Sequence, residues 1–225
     1  GYPWMSIQLN VNLAFQEGSK SFVYWVQDVA DIDTSANTIY FVDNVWNSSS
    51  AGAAMSNASV QGSGTVAHAG SDYFYYAVAP ASLSGNGVDL AYPAVVDFRV
   101  NSSVDASRQP VVTFEYNDGY GWQLYDSVTF TAVHRLTSMS GFVVNGFSYD
   151  PVNFYDSELI IGGPGGGSQT TDTKSDLRLQ LEYWNGHNYQ VVTNAYNFGS
   201  DTAESIRNAL PQLSYNQGNG GVIAE

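Results

Sequence analysis

Apolar residues recur at every second position along most of the chain, in runs of about five to nine β-branched and aromatic residues bounded by Gly, Asn, Asp and Pro. That period fits the alternating faces of a strand, and it excludes a helical protein. In the stretch from Ile7 to Leu13, Ile7, Leu9, Val11 and Leu13 point one way and Gln8, Asn10 and Asn12 the other, which predicts a strand with one polar face. Further strands are expected at Phe22 to Val29, Thr38 to Trp46, Tyr73 to Val78, Val95 to Val100, Val111 to Tyr116, Gln123 to Thr131, Phe142 to Tyr149, Ser157 to Ile161, Leu177 to Trp184 and Tyr189 to Val192. Turn formers such as Asn117-Asp118-Gly119, Ser84-Gly85-Asn86-Gly87 and Asn185-Gly186 separate them. Only Asp201 to Leu210 reads as helix, with Asp201 or Thr202 as cap, Glu204 close behind and Pro211 as stop. The expectation is an all-β, antiparallel β-sandwich of two packed, curved sheets with one short helix near the C-terminus. It forms one domain over residues 1–215, followed by a flexible Gly- and Asn-rich tail over 216–225.

Charge narrows the function classes. The chain carries 21 Asp and Glu against 7 Lys and Arg, a net charge of -14 at pH 7, and charged residues are 12% of the total. Such a surface repels phosphates, so nucleic acid is excluded as a partner. Below the usual carboxyl range of about 4, Asp and Glu become neutral. Only the 7 Lys and Arg and the 3 His then stay charged, so self-repulsion in acid is small. The composition suits an acidic medium. No cysteine is present, which removes disulfides and thiolate chemistry. No apolar stretch approaches the roughly 18 residues of a membrane span, and the opening GYPWMSIQLN lacks a charged n-region and an apolar h-region, so a signal or pro-segment, if one existed, is expected to have been removed. Sequons at Asn47, Asn57 and Asn101 are compatible with a glycoprotein that is secreted or held at the cell surface.

Seven ordered segments resemble the thermopsin family of archaeal acid peptidases: SIQLNVNL (6 to 13), YWVQDV (24 to 29), IYFVDNVWN (39 to 47), LYDSVTF (124 to 130), FYDSELIIGGPGGGSQT (154 to 170), LRLQLEYWNGHNYQ (177 to 190) and FGSDTAES (198 to 205). The resemblance implies a secreted endopeptidase acting on polypeptides in strong acid, from a thermoacidophile, with no metal or other cofactor. Members of that family carry more chain ahead of the first matched strand than the six residues present here. The resemblance assigns no catalytic residue to this chain, which leaves the chemistry of acid hydrolysis to select the candidates.

Peptide hydrolysis in acid needs a group that activates water, a proton donor to the leaving amine and a donor to the oxyanion. His68, His134 and His187 would be charged and unable to act as bases, and neither G-x-S-x-G nor H-E-x-x-H occurs. All three are expected at the surface. Carboxyls remain, in two arrangements. A pepsin-like dyad would be marked by D-[TS]-G turns, but Asp126-Ser127, Asp156-Ser157 and Asp201-Thr202 are followed by Val128, Glu158 and Ala203. The alternative pairs a carboxyl with a carboxamide. Gln27 shares a strand face with Trp25 and Val29, and Glu158 shares one with Asp156 and Ile160. The candidate catalytic residues are therefore Glu158, Gln27 and Asp43, with Asp28 and Asp156 as alternatives. Gln8, Asn10, Trp25 and Trp46 are candidates for positioning the substrate, and Tyr120 and Trp122 for lining a groove. Asp43 stands out because a carboxyl inside the hydrophobic run IYFVDNVW needs a partner.

The GGPGGG run at 162–167 lacks the Lys-[ST] of a phosphate loop and is expected to be a wide turn or flap. Two other functions share the bulk features. One is a non-catalytic surface or adhesive module; the other is a carbohydrate-active protein with paired carboxyls beside exposed aromatics.

Overall fold

The computed structural model describes residues 3–50, 52–69, 73–78, 87–142, 157–171, 177–193, 204–207, 213–216 and 221–224, and every regular element among them is a strand. In chain order these are β1 (Trp4–Glu17), β2 (Lys20–Asp33), β3 (Thr38–Asn47), β4 (Thr65–Ala69), β5 (Tyr73–Ala77), β6 (Val88–Asp89), β7 (Asp97–Val104), β8 (Pro110–Asn117) and β9 (Gln123–Thr129). They continue with β10 (Ser138–Phe142), β11 (Ser157–Gly162), β12 (Gln169–Thr171), β13 (Leu177–Gln180), β14 (Glu182–Trp184), β15 (Tyr189–Val191), β16 (Ser205–Arg207), β17 (Leu213–Asn216) and β18 (Gly221–Ala224). The chain divides into two compact units, residues 7–160 and residues 1–6 with 161–225.

The first unit holds two sheets. One runs β10-β1-β2-β3-β5-β4, with β11 also paired to β1 and β6 to β3; the other is the meander β7-β8-β9. Register fixes the faces, because cross-strand partners point to the same side. In the β2–β3 ladder Val26 pairs with Val45, Asp28 with Asp43, Gln27 with Asn44 and Trp25 with Trp46. Tyr24, Val26 and Val45 face the core with Leu13 and Phe15 of β1, and meet Val112, Phe114 and Val128 from the second sheet in one buried cluster. The Tyr24 ring lies 4.3 Å from that of Phe130, and Phe41 stacks on Tyr116 at 4.4 Å and 5°. Each such aromatic contributes roughly 1.5–3 kcal/mol by burial.

One departure from alternation aims extra polar groups into the core. Between β8 and β9 the register shifts, with Phe114 opposite Asp126 but Glu115 opposite Leu124, so Tyr125 is the extra residue of a β-bulge. A bulge lets two successive side chains turn to one side. Tyr125 and Asp126 both point inward here, where strict alternation would have sent one of them out.

The second unit contains the parallel pair β12–β16, the sheet β13-β18-β17 and the hairpin β14–β15. The expected helix is corrected here. Ser205–Arg207 form a strand beside Gln169–Thr171, while 201–203 and 208–210 lie outside the described residues. The capping pattern was local; the pairing it yielded to is not, because Ser205 N–H donates to the Ser168 carbonyl. Within the expected tail, Gly221–Ala224 form strand β18 between β13 and β17. GGPGGG makes the turn from β11 to β12, with Gly166 and Gly167 at φ 74° and 73°. The Gly167 N–H donates to the Glu204 carboxylate at 3.0 Å. The expected strand over Phe142 to Tyr149 is described only at Phe142, the last residue of β10. The single strand expected over Leu177 to Trp184 is interrupted at Leu181. No helix among the described residues is long and apolar enough to cross a membrane.

Candidate functional site

Strands β2 and β3 carry two polar constellations, one on each face. On the face away from the core, four side chains form a continuous row. Trp46 Nε1 donates to Gln27 Oε1 at 2.8 Å, Gln27 Nε2 donates to Asn10 Oδ1 at 3.1 Å, and Asn10 Nδ2 donates to Glu158 Oε2 at 3.3 Å. The chemistry of the two ends dictates the orientation of the middle. Indole N–H can only donate, so Gln27 must present its oxygen to Trp46 and its nitrogen to Asn10; Asn10 must then offer its own nitrogen to the carboxyl. The row brings residues from β1, β2, β3 and β11 together over sequence separations of up to 148 positions. Glu158 is half-buried, whereas Asn10 is fully buried. Trp46 also stacks on Tyr75 at 4.2 Å and 11°.

The polar face expected for β1 is real, but it does not face solvent: Gln8, Asn10 and Asn12 are all buried. Burial of three carboxamides on alternate residues is tolerable only with partners, which the row supplies to Asn10. Asn10 is thus an internal link rather than a surface contact. Trp25 shares the face through its pairing with Trp46 and is half-buried.

On the core face, Asp28 and Asp43 sit directly opposite each other in the ladder, both at 0% exposure. Tyr125 O–H donates to Asp28 Oδ1 at 2.7 Å, with the Val42 carbonyl 3.2 Å from the same hydroxyl. Neither oxygen of the Asp43 carboxyl, nor Asp28 Oδ2, has a hydrogen-bond partner among the described residues. Asp126, also buried, accepts from the Ser63 and Ser127 amides at 3.0 and 2.7 Å and from Tyr76 O–H at 2.5 Å. Burial pushes the Asp28 carboxyl well above its usual range, with Tyr125 opposing in part. Asp43 is pushed up by burial first and then by the charges of Asp126 and Asp28, with the backbone amides of Val78 and Asp43 opposing. An open groove of about 410 Å³, lined by Gln61, Gly62, Ser63 and β9 residues from Leu124, borders this cluster at Asp126.

The structure therefore brings Glu158, Gln27, Asn10 and Trp46 together and sets Asp28 and Asp43 apart from them, on the opposite face. Asp156 lies outside the described residues. His68, His134 and His187 are exposed, as expected. Tyr120 and Trp122 are exposed as well, and Arg99 lies over the Trp122 ring at 3.8 Å while pairing with Glu115 at 2.6 Å. Sequence reasoning missed Tyr76, Tyr125 and Asp126 as members of the core-face cluster. Their only sequence signal was an Asp and two Tyr in otherwise ordinary strands; the bulge that aims two of them has no local signature.

No solved structure matches the chain. Thermopsin from Sulfolobus acidocaldarius is 28% identical over 211 residues, covering 93% of this chain and 62% of that relative, so the chain spans less than two thirds of its length. The family model described as Thermopsin matches residues 2–209. The chain belongs to the thermopsin family.

Proposed function

We propose that this chain is an acid endopeptidase acting on polypeptides outside the cell, with Glu158 and Gln27 on a β-sandwich scaffold as its catalytic pair. Family membership supports the reaction class. The single observation that carries the residue assignment is the Asn10 side chain, which ties the Gln27 amide to the Glu158 carboxyl in one directed row. In this reading Glu158 takes a proton from water as the water oxygen attacks the scissile carbonyl. Gln27 then donates its second amide N–H to the tetrahedral oxyanion, since Trp46 and Asn10 occupy its oxygen and its first N–H. Collapse breaks the C–N bond, and Glu158 returns the proton to the departing amine. Carboxamides do not titrate, so the arrangement keeps its polarity in acid.

Asp28 and Asp43 are opposed across the β2–β3 ladder, but no hydrogen bond joins their carboxyls. Their complete burial argues against contact with a peptide. Among the three sequons, Asn57 is the best placed to carry a glycan. It lies exposed in a turn, whereas the Asn101 amide donates to Glu115 at 2.6 Å and that of Asn47 reaches the Ala54 carbonyl at 3.5 Å.

The test is hydrolysis of a denatured protein below pH about 4 and at elevated temperature, by wild type, Glu158→Gln, Gln27→Ala and Asp43→Asn, each first checked for folding by circular dichroism. Loss in the first two variants alone is the expected result. Loss only in Asp43→Asn would move the reaction to the core-face carboxyls, and a folded but inert wild type would favour a non-catalytic surface module.

A further inference from the structure

The core-face cluster is a built feature that the hydrolytic reading does not use. Three carboxyls, Asp28, Asp43 and Asp126, converge between the two sheets of residues 7–160, and the β9 bulge delivers Tyr125 and Asp126 to them together. Among the described residues, the groups facing the Asp28–Asp43 pair offer no compensating cation. β5 contributes Tyr76, β9 contributes Tyr125 and Asp126, and β8 contributes Tyr116. The segment at 63–64 contributes only backbone amides, to Asp126 and to Tyr76. β7 turns Phe98 toward this side, 6.3 Å from Phe41, and holds Arg99 on the other, where it pairs with Glu115. Asp126 has three hydrogen-bond donors, while the Asp43 carboxyl oxygens make no hydrogen bond of full geometry among the described residues and feel only the backbone amides of Val78 and Asp43, which do not outweigh burial. Two buried carboxyls placed opposite each other, with Tyr125 O–H as the one side-chain donor and no cation among the described residues, are tolerable when protonated and costly when ionised.

We propose that Asp28, Asp43 and Asp126, with Tyr125 and Tyr76, form a pH latch in the core: it keeps residues 7–160 folded while the Asp28–Asp43 pair is protonated in acid, and releases them as the pair ionises. The sign follows from linkage. Both carboxyls are pushed up in the folded chain, so their contribution is fully present below the unfolded value of about 3.9. Above it the unfolded chain gives up protons that the folded chain still holds, and stability falls until the raised folded values are passed. Within that window the folded-to-unfolded ratio drops up to about tenfold per pH unit for each such carboxyl, or about a hundredfold for the pair. The latch is independent of which residues hydrolyse the substrate, because its readout is folding.

The experiment is denaturant unfolding of wild type, Asp43→Asn and Asp28→Asn, followed by circular dichroism from acid to neutral pH. The expected result is a wild-type folding ratio that begins to fall above pH about 4 and continues to fall as pH rises, a slope about tenfold per unit shallower in either variant, and variants that outlast wild type near neutrality. Parallel profiles for wild type and variants would overturn the proposal. Should neither variant fold even in acid, infrared spectroscopy of the folded wild type decides. At a pH of about 6, where free carboxyls are almost fully ionised, a band of neutral carboxyl persisting in the folded molecules supports the latch and its absence overturns it.

Discussion

Gln27 and Asp28 are neighbours in sequence, as are Asp43 and Asn44, yet they belong to different chemistries because a strand sends successive side chains to opposite faces. On the outer face, Glu158 is half-buried and lies at the end of a row whose hydrogen bonds all run in one direction. On the core face, the Asp28–Asp43 pair is sealed, and most of its oxygens lack partners among the described residues. The first arrangement keeps one carboxyl reachable and aligned, which is what proton transfer requires. The second stores two protons where water cannot solvate the charges that would replace them. Carboxyl count alone therefore does not locate a site; accessibility and donor supply do.

The most direct challenge to this contrast is Glu158→Gln, which preserves shape and removes the base. It is expected to lower kcat/KM in acid about a thousandfold while leaving the pH dependence of unfolding unchanged. A variant that lost its pH-dependent unfolding instead would mean that the two faces had been assigned the wrong way round. Gln27→Ala removes the oxyanion donor, for an expected loss of about a hundredfold in kcat, measured with a fluorogenic peptide. An effect confined to KM would make Gln27 a substrate-binding residue only.

Smaller effects refine the contrast. Tyr125→Phe deletes the donor to Asp28 and is expected to cost about 1 kcal/mol in acid, read as a lower midpoint in urea with activity per folded molecule unchanged. Trp46→Phe keeps the ring on Tyr75 but removes the N–H that orients Gln27. A loss of about 1 kcal/mol, or roughly fivefold in kcat, is expected. If kcat is unaffected by Trp46→Phe, the row does not depend on its indole end.

Much of the scaffold was legible because strand alternation is a local property. The runs at Ile7 to Leu13, Phe22 to Val29, Thr38 to Trp46 and Val111 to Tyr116 all fall inside observed strands, and the NDG and NG turns fall between strands. Gln27 and Glu158 were legible as polar residues on strand faces. The helix expected over Asp201 to Leu210 failed at Ser205–Arg207 because a cap and a short run carry only a weak local preference, which strand pairing to Gln169–Thr171 overrides. The burial of the Gln8, Asn10 and Asn12 face was not legible for a related reason. A polar stripe looks the same in sequence whether it meets water or other carboxamides.

Amino-acid order alone establishes that this is a β protein poor in cations, that thiol chemistry is closed to it, and that its family is that of thermopsin. Three facts come from the folded chain and from nothing short of it: Asn10 joins Gln27 to Glu158, Asp28 faces Asp43, and a bulge turns Tyr125 and Asp126 inward together. The division is one of range. Alternation and turn chemistry act over a few residues and are written in order along the chain, whereas contacts such as Asn10 to Glu158 depend on pairing register between strands 148 positions apart.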